Sequence, residues 1–159
     1  MIGLAEKLEK PSTRDLSLAK KAWRPFLEHK GMHCIYNLQP VDPQRFSLDH
    51  FIPWSYVGHD ELWNIIPTSA SVNSAKSDHL PDMDLHLGSF CEHQFELVRF
   101  HLERGTTILL EDHFRLFNAS LRDINEPAFT IRLSEEIQNC HRVARRLGFT
   151  LVHGLAYPP

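Results

Sequence analysis

Hydrophobic and polar positions alternate briefly at Phe46-Ser47-Leu48, the period of a half-buried strand, and Pro53 ends the run just after Asp49 and His50. The pattern predicts a short strand with that acid and that imidazole at its C-terminal end. A second β-favouring run at 32–36 is followed by turn residues from Leu38 to Pro43, and the expectation is a hairpin in which 32–36 folds back against 46–48. From Thr68 to Asp78 the pattern becomes helical. Thr68 or Ser69 is expected to cap a short helix over 68–78, on which Asn73, Lys76 and Ser77 share a face at i, i+3 and i+4.

The flanks also read as helices. One is expected over 14–28, capped by Ser12 or Thr13, with Leu16, Ala19, Trp23 and Phe26 or Leu27 inward and Pro25 kinking or splitting it. Another spans 85–104 and stops at Gly105, with Leu87, Phe90, Cys91, Phe95, Val98 and Leu102 on its apolar side. A third is expected over 107–123. The last opens at Pro127, turns Ile131, Leu133, Ile137, Cys140, Val143, Ala144 and Leu147 inward and stops at Gly148, before a closing strand at 149–152. A helical scrap at 4–10 precedes Pro11. The fold class expected is α+β, a small ββα element embedded in a mainly helical domain. Its parts are an N-terminal helical segment over 1–30, a core over 31–82 and a C-terminal helical region over 83–159 that packs on the core.

Composition adds limits. With 159 residues, 42% hydrophobic and 23% charged, the chain has ordinary globular proportions and enough length for one domain with a real core. No apolar run approaches a membrane span and no signal-peptide pattern opens the chain, so a cytoplasmic location with no membrane partner is expected. Three widely spaced cysteines, Cys34, Cys91 and Cys140, suit reduced thiols. Net charge is −3 and unevenly spread. Residues 1–46 hold eight Lys/Arg against five acids, 47–98 one against eight, and 99–159 eight against seven. The centre attracts metal and repels polyanions. Phosphate contacts therefore have to come from the flanks and from a bound cation.

The chemistry lies in Asp49, His50, Asn64, Asn73 and Lys76. A hard divalent cation takes oxygen ligands and uses only one or two from protein, which Asp49 and the Asn73 carbonyl can supply. A neutral His50 suits proton abstraction from water, and Lys76 can hold a phosphate as a point charge. Asn64, neither acid nor base, is read as a brace for the loop that carries His50. Arg45 stands beside the strand as a candidate phosphate contact.

D-H-F-I-P-x-S, then N, then N-x-x-K-S-D, closely resembles the HNH endonuclease motif of the ββα-metal fold, in the variant whose third position is Asn. It is especially similar to the HNH domains of RNA-guided CRISPR effector nucleases and to HNH proteins of bacterial defence systems. The resemblance implies Asp49 and Asn73 as metal ligands, His50 as general base, Asn64 as the structural asparagine and Lys76 as a supporting residue near phosphate. It implies Mg²⁺ or Mn²⁺ as cofactor and DNA, ahead of RNA, as partner. With the acidic centre, it also suggests a further domain or partner protein that delivers substrate. Where many family members carry Cys-x-x-Cys before the motif, this chain has the single Cys34.

Other readings stay beside this one. The fold can serve a catalytically degenerate nucleic-acid-binding or assembly module of a larger protein. Lys20, Lys21 and Arg24 form a basic face assigned to solvated surface, the tryptophans are assigned to core, and His59-Asp60 is read as an exposed loop pair. His33, Cys34, Cys91 and His93 have zinc-ligand chemistry, but not the usual zinc spacing.

Overall fold

The structure, a computed structural model, describes residues 13–153, apart from the side chains at 119 and 120. The expected helix at 4–10 and the Ser12 cap lie outside the described residues. The architecture is α+β and mainly helical, with one two-stranded antiparallel sheet.

Helix α1, Ser17–His29, buries Ala19, Ala22, Trp23, Phe26 and Leu27. It has no side-chain cap. Asp15 instead accepts hydrogen bonds from the Ser17 backbone N–H and hydroxyl. Pro25 sits inside the helix without splitting it, because the carbonyl that loses its partner belongs to exposed Lys21, where water can serve.

Strand β1, Ser47–His50, is the predicted one, but its partner is not 32–36. It pairs with β2, Ile65–Thr68, with Asp49 opposite Ile66 and His50 opposite Ile65. Residues 32–41 curl on themselves instead. Cys34 N–H donates to the Gln39 carbonyl at 2.8 Å and Val41 N–H to Met32 at 3.0 Å, around Leu38 with φ +59°. One turn of helix, α2 (Trp54–Val57), begins at Pro53, and a 3-10 turn at Leu62–Asn64 leads into β2. Then α3, Ala70–Lys76, starts from Ser69, whose hydroxyl accepts the Val72 N–H. The ββα unit is thus β1, β2 and α3.

Helix α4, Met83–Arg104, packs along α6, Glu126–Arg146, and against α1. Asp82 caps α4 and Gly105 ends it at φ +72°, the left-handed conformation glycine tolerates. Asn118, at φ +56°, breaks the single helix expected over 107–123, leaving α5 as Glu111–Phe117 between two 3-10 turns. Helix α6 buries Phe129, Leu133, Ile137 and Ala144, while Ile131, Val143 and Leu147 are exposed, against expectation. The closing strand is a single parallel bridge between Leu80 and Leu151. Among the described residues, no helix is long and apolar enough to cross a membrane.

Candidate active site

The end of β1 is fixed from three helices. On α4, Gln94 donates to the carbonyls of Leu62 and Ile65, and Trp23 of α1 donates to the same Ile65 oxygen at 3.1 Å. Asp112 of α5 accepts the Leu62 N–H at 2.8 Å. These bonds hold the turn that carries Asn64. Phe51, next to His50, stacks on Phe90 of α4 with ring centroids 4.0 Å apart.

Fully buried Asn64 exchanges two hydrogen bonds with Ile52. Its Nδ2 donates to the Ile52 carbonyl, and its Oδ1 accepts the Ile52 N–H, both at 2.9 Å. Its own carbonyl accepts from Phe51. The amide therefore clamps the two residues that follow His50.

Asp49 is 2% exposed and uses both carboxylate oxygens. Oδ2 accepts the Tyr36 hydroxyl at 2.6 Å, and Oδ1 receives the Lys76 ammonium at 3.1 Å. Burial, and then the Asp49 charge, raise Tyr36 well above the usual phenol range, so it remains a donor. Lys76, expected beside phosphate, is wholly buried, and its Nζ also donates to the His50 carbonyl at 2.8 Å. Asn73 docks α3 on β1: its Nδ2 donates to the Ser47 hydroxyl at 2.8 Å and to the Leu48 carbonyl at 3.3 Å. That leaves Oδ1 as the atom able to receive a cation. Arg45 lies exposed immediately before β1.

His50 is 5% exposed and meets Asp60 through Nε2 at 2.8 Å. Burial lowers its pKa most, opposed by the hydrogen bond and charge of Asp60 and the charge of Asp49, while Arg14 lowers it further. The imidazole is thereby neutral at physiological pH. Asp60 is not an exposed loop group: its other oxygen accepts the Asp15 backbone N–H at 2.6 Å. Arg14 lies over the Trp54 ring at 5.0 Å.

Sequence reasoning missed Tyr36 and Asp60 as partners of the motif residues. No local pattern marks them, because both contacts exist only once the chain has folded. The thiols of the zinc alternative are separately engaged, Cys34 with Thr68 and Cys91 with Ser134. Among the described residues, no group of three or more His, Cys, Asp or Glu is placed to hold a metal ion. The oxygen pair of Asp49 and Asn73 is a different kind of set. A carboxylate and an amide oxygen suit a hard divalent cation that keeps most of its waters. The Lys76 ammonium already occupies Asp49 Oδ1 and the Tyr36 hydroxyl Oδ2, so a cation here would share or displace those contacts.

A family model described as HNH endonuclease matches residues 34–82, just under a third of the chain. No curated protein and no solved structure matches it. The matched segment holds Tyr36, Asp49, His50, Asp60, Asn64, Asn73 and Lys76, and the match supports the motif resemblance to the HNH family. The matched family suggests nuclease-type activity on a nucleic-acid substrate, and HNH nucleases generally use a divalent metal.

Proposed function

We propose that the chain is a metal-dependent HNH endonuclease that hydrolyses DNA phosphodiester bonds. One observation carries the reading: a buried imidazole held by a carboxylate follows directly on a buried carboxylate, at the end of a strand on which an asparagine-bearing helix is docked. Asp49 and Asn73 would hold Mg²⁺ or Mn²⁺, which would supply positive charge for the phosphate and the departing oxygen. His50 accepts the proton of the attacking water while that oxygen forms a bond to phosphorus and the bond to the leaving oxygen breaks. Asn64 keeps the His50 loop in place. Lys76 and Tyr36 orient the Asp49 carboxylate, so Lys76 acts through Asp49 and not as a surface phosphate contact.

Substrate is drawn to a centre that is itself acidic. Exposed cations on this side include Arg45, two residues before β1, and Arg14, whose charge reaches His50. They supply phosphate contacts, with delivery helped by a further domain or partner protein in a defence or restriction setting. Purified protein should nick or cut plasmid DNA with Mg²⁺ or Mn²⁺, and His50→Ala should remove most activity. Equal cleavage by the variant defeats the assignment. Parallel RNA digests identify the substrate class.

A second reading follows from the ammonium already paired with Asp49. A site whose carboxylate is neutralised from within suits a non-catalytic nucleic-acid-binding or assembly module. That module binds DNA without metal, and His50→Ala leaves its binding unchanged.

A further inference from the structure

The loop at 58–61 reaches the imidazole and the segment before α1 reaches that loop, and neither contains a residue of the HNH motif. Asp60 Oδ1 lies 2.8 Å from His50 Nε2, and Asp60 Oδ2 is 2.6 Å from the Asp15 backbone nitrogen. An ionised carboxylate only accepts hydrogen bonds, so Nε2 has to carry the proton and donate it. The ring's other nitrogen, Nδ1, is then left with its lone pair. The neutral ring has just two tautomers, and the partner of one nitrogen decides which is present.

We propose that Asp60 is a positioning residue that fixes His50 as the Nε2–H tautomer and presents Nδ1 as the proton-accepting atom, while the Asp15 backbone N–H fixes Asp60. This rests on the nuclease reading for its catalytic consequence, but its structural content stands by itself. Three parts of the chain meet at the pair: the end of β1, the loop after α2, and the residues leading into α1. Asp15 is well placed to serve as an anchor because its own side chain is tied to Ser17 at the start of that helix. Burial of His50 keeps water from replacing Asp60 as the partner of Nε2.

The arrangement separates two functions along one strand. Asp49 turns to Tyr36 and Lys76, and His50 turns to Asp60, so adjacent residues are each oriented by their own set of partners. The two side-chain sets share no partner, although Lys76 also holds the His50 backbone carbonyl. Removal of Asp60 therefore affects the base and leaves the Asp49 partners in place.

The test is nitrogen-15 NMR of histidine-labelled full chain at a pH where His50 is neutral, with His50→Ala used to assign the signals. The expected wild-type spectrum shows His50 with a protonated Nε2 and an unprotonated, pyridine-like Nδ1. Asp60→Ala should give a mixture of tautomers and lower kcat by roughly 10–100-fold, the range for losing an orienting partner, with KM unchanged. A wild-type Nδ1–H tautomer overturns the proposal, as does an Asp60→Ala protein that keeps the single Nε2–H tautomer. The wild-type spectrum decides even where Asp60→Ala does not fold. Absence of cleavage by wild-type protein defeats the nuclease reading, whereas a tautomer change in Asp60→Ala still supports the role of Asp60.

Discussion

Lys76 and Asp49 form an ion pair with almost no exposure to solvent, 0% and 2%, at 3.1 Å. Two unlike charges out of water stabilise each other only while both are present, and removing one leaves the other as a bare buried charge. Lys76→Met should therefore destabilise the fold by roughly 3–5 kcal/mol, the usual cost of breaking a buried pair. Adding Asp49→Asn should recover part of the loss, because the amide needs no counter-charge. Urea unfolding of both single variants and the double variant gives the coupling, and purely additive losses would show that the pair does not interact.

Metal binding can be measured without cleavage. An ion that binds only the folded state at about 100 times its Kd adds roughly 2.7 kcal/mol to stability. Mn²⁺ should raise the melting temperature of wild-type protein, and Asp49→Ala with Asn73→Ala should lose the increase. Chelator should reverse it. A shift that persists in the double variant places the ion elsewhere.

Asn64 is tested through its neighbour. Asn64→Ala leaves the buried Ile52 N–H and carbonyl without their partner, each costing on the order of 1–3 kcal/mol. The loop after His50 should loosen before the rest of the molecule does. Hydrogen exchange at the Ile52 amide should accelerate far more than at amides in α4, and equal acceleration everywhere would mean that Asn64 supports global stability alone.

How much of this was legible in sequence depended on whether the signal was local. Alternation and Pro53 marked β1; Ser69 marked the start of α3, and Gly105 the end of α4. Strand β2 was hidden because Ile65–Thr68 is buried throughout, so its side chains show no alternation, and Pro67 argues against a strand. The run at 32–36 has strand-forming residues, but positive φ at Leu38 turns it back on itself before it reaches β1. In α6 the period was read correctly as helical, yet the buried stripe runs through Phe129, Leu133, Ile137 and Ala144, which leaves Ile131 outside it. The motif spacing named the candidate site residues. What it could not give was their partners, since Tyr36 and Asp60 reach Asp49 and His50 through folding over 13 and 10 residues of separation, and Asp15 reaches Asp60 over 45.

Acid should weaken the fold through His113. This residue of α5 is fully buried beside Phe129, its Nε2 lies 2.8 Å from Gln94 Oε1, and its Nδ1 has no partner. Gln94 Oε1 accepts, so Nε2 carries the hydrogen. Burial first, and then the charge of His101, push the His113 pKa down to about 3. The unfolded chain, with an ordinary histidine near 6.5, binds its proton first as pH falls. Stability is therefore full above about pH 6.5 and is lost progressively towards about pH 3, with a slope approaching roughly 1.4 kcal/mol per pH unit from this one group. Burial lowers His86, His101 and His141 in the same direction, which steepens the upper part of the window. The loss matters for the site because Gln94, the partner of His113, also holds the Leu62 and Ile65 carbonyls on either side of Asn64. Urea unfolding between about pH 7 and about pH 5 should show the decline, and His113→Gln, a neutral donor in the same place, should flatten it by about one proton. An unchanged slope in that variant would assign the proton uptake to the other histidines.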